Sequence, residues 1–138
     1  MKYDFLKYWR IVRKYTQEKH GLTYPDLEML LFLYSEGKFK RADFDEFNEL
    51  FPWRVGRFED LRKRGHIVKW RTQRGREGAL YCLSHQTSAI IRSIYQKLDG
   101  TEAIGENRNP FFKSNPSYTD KVYRNYIKKL NKELREGK

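Results

Sequence analysis

Cysteine is almost missing from this chain. The single Cys82 among 138 residues excludes an intramolecular disulfide framework and any zinc site built on several thiolates, as expected of a reducing compartment. On its apolar run it reads as an inert thiol, because nothing in the sequence argues for a low thiol pKa. The three histidines, His20, His66 and His85, match no metal-ligand spacing. No apolar run nears the roughly 18 residues that cross a bilayer, and the N-terminus lacks the apolar core of a secretory signal. These absences predict an intracellular, cytoplasmic protein without a membrane partner.

Catalytic signatures are missing too. There is no Gly-x-Ser-x-Gly, no phosphate-binding glycine loop and no His-Glu-x-x-His. Glu77 with the acidic Asp43-Phe-Asp-Glu46 could make a nuclease carboxylate site, but an acidic helix on a basic protein is the simpler account. A non-enzymatic protein with no metal and no cofactor is the expectation.

Positive charge and aromatic rings are what the chain has in quantity. Lys and Arg number 29 against 18 Asp and Glu, a net +11, which favours a polyanionic partner. Phe, Trp and Tyr make up 16% of the chain, so few core positions can still bury a large area. The charge is uneven: residues 21–50 hold three basic and seven acidic side chains, whereas residues 51–85 hold nine basic and three acidic.

The periodicity predicts a mainly α fold with one small β-hairpin. Phe5, Leu6, Tyr8, Trp9, Ile11, Val12 and Tyr15 form a helical stripe over 4–18. Thr23 suits the N-cap of a second helix with Pro25 and Asp26 in its first turn, ending at Gly37. A short helix over Ala42–Leu50 stops at Pro52. A basic helix follows over Trp53–Arg64. Val55, Phe58 and Leu61 should form its inward ridge, and Arg54, Arg57, Asp60, Lys63 and Arg64 its outward face. His66–Arg71 and Ala79–Leu83 should pair as a hairpin around the flexible basic tip Thr72-Gln-Arg-Gly-Arg-Glu-Gly78. Ser84 is positioned to cap a helix over His85–Leu98. Thr101–Pro116 reads as an extended connection pinned by Phe111 and Phe112, and Thr119–Arg135 as a last helix whose apolar stripe needs a cover. Trp53 and Trp70 are expected in core or rim packing. One unit is expected, with residues 1–100 as the binding domain and 101–138 as connection and C-terminal helix.

This order of elements, with a basic helix before a basic hairpin, is that of a winged helix-turn-helix, whose helix enters the major groove while the wing reaches phosphates or minor groove. Double-stranded DNA is the expected partner. The expected contacts are Arg54 and Arg57, which could bond two acceptors of guanine, and Lys63, Arg64, Arg71, Arg74 and Arg76.

From Leu22-Thr23 to Tyr95 the chain resembles MarR-type winged-helix proteins. The resemblance rests on the Leu-Thr opening, the segment Leu61-Arg-Lys-Arg-Gly65-His-Ile67-Val68, similar to the family's LExxGLV, and Leu83-Ser84 after the wing. It implies a transcriptional regulator that is a homodimer through its N- and C-terminal helices, here through Phe5, Trp9, Val12, Ile94, Val122, Tyr126 and Leu130. It also allows a small-molecule effector. The chain departs from the family pattern at three places: Val55-Gly56 replaces a Thr-Arg, Arg62 replaces the Glu, and Gly75 and Glu77 stand where Asp-x-Arg is usual. Those losses and the unusual terminus support a rival from another class, a phage virion or packaging component that uses the scaffold for protein contacts. Binding to structured RNA is a third possibility.

Overall fold

The computed structural model describes residues 5–136, with side chains from Leu6 onward. Within them lie the helices α1 (Phe5–His20), α2 (Tyr24–Glu36), α3 (Arg41–Asn48), α4 (Arg57–Lys63), α5 (His85–Asp99) and α6 (Tyr118–Glu136), with β1 (Ile67–Arg71) and β2 (Leu80–Leu83) between α4 and α5. The protein is therefore mainly helical with a two-stranded antiparallel sheet. The chain divides into two compact units, Thr23–Ile91 and a second made of Met1–Leu22 with Arg92–Lys138. The division falls inside α5 and after α1.

In the unit Thr23–Ile91, local chemistry sets most element ends. Thr23 Oγ1 accepts from the Asp26 N–H at 3.3 Å, and Gly37 closes α2 at φ 78, a left-handed conformation that glycine adopts without a Cβ penalty. Asp43 caps α3 by accepting from the Lys40 N–H at 2.9 Å. Ile67 faces Leu83, Val68 faces Cys82 and Lys69 faces Tyr81, after which an irregularity brings Arg71 opposite Leu80. Phe39 bridges the free edge of β2 through paired backbone bonds with Tyr81 of 2.9 and 2.8 Å. Phe58 of α4 meets Phe44 and Tyr81 edge-on at 5.0 and 5.1 Å, so aromatic contacts tie α3, α4 and the sheet together.

In the second unit α6 packs on α1 and on a single 3-10 turn, Pro110–Phe112. Phe111 is buried and stacks on Tyr123 at 4.7 Å, while Arg124 Nε and Nη2 donate to the Phe111 and Lys113 carbonyls at 3.1 and 2.9 Å. Asn131 accepts from the Ile104 N–H at 3.0 Å and donates to its carbonyl at 2.9 Å. The connection is thus pinned at Phe111, as expected, and at Ile104, which the sequence did not single out. Glu102 bonds Ser93 and Lys97 and fixes its start. α6 opens on a reciprocal cap in which Ser117 and Asp120 each accept from the other's N–H at 3.1 Å.

The expected dimer contacts need correction. Val12, Ile94 and Leu130 are almost wholly buried within the single chain, so they are not free to meet a second copy. The α6 stripe that needed a cover has one in the same unit. Trp9 and Val122 are half-buried and Tyr126 is exposed, while the Phe5 side chain lies outside the described residues.

Candidate nucleic-acid interface

α4 begins four residues later than its apolar spacing predicts. Pro52 supplies no N–H, and Gly56 takes φ 74 at the N-cap, so residues 53–56 form a loop and a turn before the first helical residue, Arg57. The shift reorients the side chains. Val55, expected to point inward, is 79% exposed, whereas Phe58 and Leu61 are buried as expected.

Arg57, expected on the outward face, is only 3% exposed. Its Nε donates to Asp26 Oδ1 at 2.9 Å, its Nη2 to the Pro52 carbonyl at 3.1 Å, and its Nη1 to Asn48 Oδ1. Asp26 is itself buried at the first turn of α2, where the helix N-terminus favours a carboxylate. Arg54 donates to the other Asp26 oxygen at 2.7 Å and to Asp60 Oδ2 at 2.9 Å. The bond from Arg54 is the main cause that holds the Asp60 carboxyl below its ordinary value, and Arg64 at 3.7 Å adds to it. Arg54, Arg57 and Arg64 are therefore engaged inside the chain. Arg57, which is buried, is thereby corrected as a base-reading group, whereas Arg54, its side chain 38% exposed, is held by two carboxylates.

Arg71 is also turned inward. Its Nη2 lies 3.4 Å from the Gly78 carbonyl and 3.4 Å from Glu77. The hairpin tip, expected to be flexible, is closed by a turn in which Arg74 and Glu77 exchange backbone bonds of 2.9 and 2.8 Å, with Gly75 at φ 55. Arg74 and Arg76 project from it and are exposed.

What remains is a group of cations without a carboxylate partner among the described residues: Lys63, Lys69, Arg74 and Arg76, with Arg62 lying over the Tyr81 ring at 5.3 Å. α4 packs on β1, so these side chains belong to neighbouring elements. Of the expected contacts, Lys63, Arg74 and Arg76 are in this group. Arg62 and Lys69 join it and were missed; Lys69 is exposed although strand alternation sets it on the same face as the buried Ile67. Trp70 is 50% exposed with Lys38 Nζ 3.6 Å from its ring centroid, and Trp53 is 83% exposed. Neither tryptophan is a core residue.

At the base of the hairpin, His66 Nδ1 lies 2.8 Å from Thr87 Oγ1, which also accepts from Ser84 Oγ at 3.0 Å. Burial, with the Arg64 charge, lowers the His66 pKa from its ordinary 6.5. Ser84 accepts from the Thr87 N–H at 3.2 Å, the capping bond expected of it.

No helix among the described residues is long and apolar enough to cross a membrane. No family model, curated protein or solved structure matches the chain.

Proposed function

We propose that this chain is a non-enzymatic double-stranded DNA-binding protein of the MarR-like winged-helix kind, acting as a transcriptional regulator, and that it holds DNA by phosphate contacts more than by base reading. The carrying observation is the group Arg62, Lys63, Lys69, Arg74 and Arg76 on the end of α4 and the hairpin, each without a carboxylate partner among the described residues. Each phosphate neutralised releases counterions, so affinity falls with salt at a slope near 0.9 per contact. Four or five contacts give a slope of about four. The engagement of Arg54 and Arg57 by Asp26 removes the best candidates for bidentate guanine contacts.

Titrating the full chain into labelled duplexes of unrelated sequence, at several salt concentrations, tests this reading. Salt-dependent binding with modest sequence preference is expected. No duplex binding at low salt would refute it, and preference for structured RNA in competition would move the assignment to RNA.

A second reading, an assembly protein that uses the same scaffold for protein contacts, is favoured by one observation. Leu50, Trp53 and Val55 are 68, 83 and 79% exposed on the loop that should face DNA.

A further inference from the structure

The unit made of Met1–Leu22 with Arg92–Lys138 carries positive charge that the hairpin does not account for. In α6, Lys121, Lys128, Lys132 and Arg135 are all exposed. At 3.6 residues per turn their positions fall within about 60° of arc, with Asn125 on the same stripe, and they are turned away from the buried Ile127, Leu130 and Leu134. From Lys121 to Arg135 the stripe is about 21 Å long at 1.5 Å per residue. None of the four cations has a carboxylate partner among the described residues. The acidic side chains of α6 are engaged or stand aside: Asp120 pairs with Lys113 at 3.2 Å, Glu133 pairs with Lys7 of α1 at 3.7 Å, and Glu136 ends the helix.

The last three cations also line a groove of about 750 Å³, whose other wall includes Gly100, Ala103 and Glu106. That wall is held in place, because the Asn131 side chain bonds both the N–H and the carbonyl of Ile104. Glu106 is the one carboxylate that lines the groove among the described residues, so its charge is outnumbered three to one. Lys128 Nζ stands 5.9 Å from the Phe112 ring centroid, a contact that supplies no counter-charge.

The length and chemistry of the stripe choose the occupant. A small anion in the groove would leave Lys121, two turns before Lys128, idle. A membrane surface takes up apolar side chains, and Ile127, Leu130 and Leu134 are buried within the unit. A protein partner needs an apolar anchor inside the charged rim; the stripe holds none, and the exposed Tyr118 only flanks its start. A row of cations suits charges that recur at regular intervals whatever the sequence, which describes the phosphates of a nucleic-acid strand. At 3.4 Å per nucleotide the stripe spans about six of them.

We propose that this face of α6 is a second phosphate-contacting surface for duplex DNA. It goes beyond the hairpin reading and stands without it.

Titrating the full chain into a labelled duplex at several salt concentrations tests this, with the hairpin charges removed by Lys69→Gln, Arg74→Ala and Arg76→Ala. That variant should still bind at low salt. Adding Lys128→Gln, Lys132→Gln and Arg135→Gln should weaken its binding at low salt at least about tenfold and lower the salt slope by about 2.7, three contacts at 0.9 each. Circular dichroism should not change, because the three side chains are exposed. Lys128→Arg with Lys132→Arg keeps the charge and should bind like the wild type. The inference is overturned if the three α6 changes leave affinity and slope as they were. It is overturned too if the hairpin variant does not bind at low salt, a result that leaves the hairpin reading intact. If the hairpin variant binds like the wild type and the α6 changes abolish binding, the hairpin reading fails and this one holds. Binding to phosphatidylserine vesicles in preference to duplex, lost with the same α6 changes, would overturn the assignment to nucleic acid.

Discussion

Arg57 Nε donates to Asp26 Oδ1 at 2.9 Å, and both side chains are almost completely shielded from water. The pair spans 31 residues of sequence and joins the first turn of α2 to the first residue of α4. With Arg54 on the second Asp26 oxygen, each buried charge has an opposite partner and hydrogen bonds, the condition under which ions are tolerated inside a protein.

Removing one partner of this pair leaves an uncompensated buried charge, which typically costs about 3–5 kcal/mol. Asp26→Asn and Arg57→Ala are each expected to lower unfolding stability by amounts of that order in urea titrations. The double variant Asp26→Leu with Arg57→Met, which replaces both charges with apolar groups, should recover a large part of the loss. A small effect of either single change would mean that the pair is not shielded as described.

For nucleic acid the same geometry predicts a division of labour between arginines. Arg74→Ala or Arg76→Ala should weaken binding to all duplexes alike and lower the salt slope by about one unit, with stability unchanged. Arg54→Ala and Arg57→Ala should act through stability and the loop, leaving the salt slope of the folded fraction intact. A fluorescence titration of each variant at three salt concentrations separates the two behaviours.

His66 gives the fold a dependence on pH. Its pKa is lowered on folding, mainly by burial and then by the Arg64 charge, so the folded state favours the neutral ring. Its contribution is complete above the unfolded value of 6.5 and is lost as pH falls from there toward the lowered folded value. Stability measured across that window should drop with acid in the wild type. His66→Gln should flatten the drop, and an unchanged profile would assign it to other groups. Asp60 acts in the same direction at lower pH: its carboxyl is held down chiefly by the Arg54 bond, so its contribution fades as the pH falls through its folded pKa.

Much of the architecture was legible in the sequence because the signals are local. The cap at Thr23, the stop at Gly37, the capping Ser84 and the two short strands depend on neighbours within a few residues, and they stand where their chemistry placed them. Net charge and its concentration in residues 51–85 are properties of composition alone. The partners of those charges are not. Whether Arg54 and Arg57 meet phosphate or carboxylate depends on Asp26, some 30 positions away and brought within 3 Å only by packing. A helical period assigned Val55 to the core, but Pro52 and the left-handed Gly56 delay the helix and turn Val55 and Trp53 to water. The α1 and α6 stripes were legible as apolar and were not legible as each other's cover, since periodicity says that a face must be buried without saying against what. Local spacing and composition suffice for the helices, the hairpin and an excess of positive charge. Tertiary structure decided which of those charges remain free, because pairing is set by distance in space and not by order along the chain.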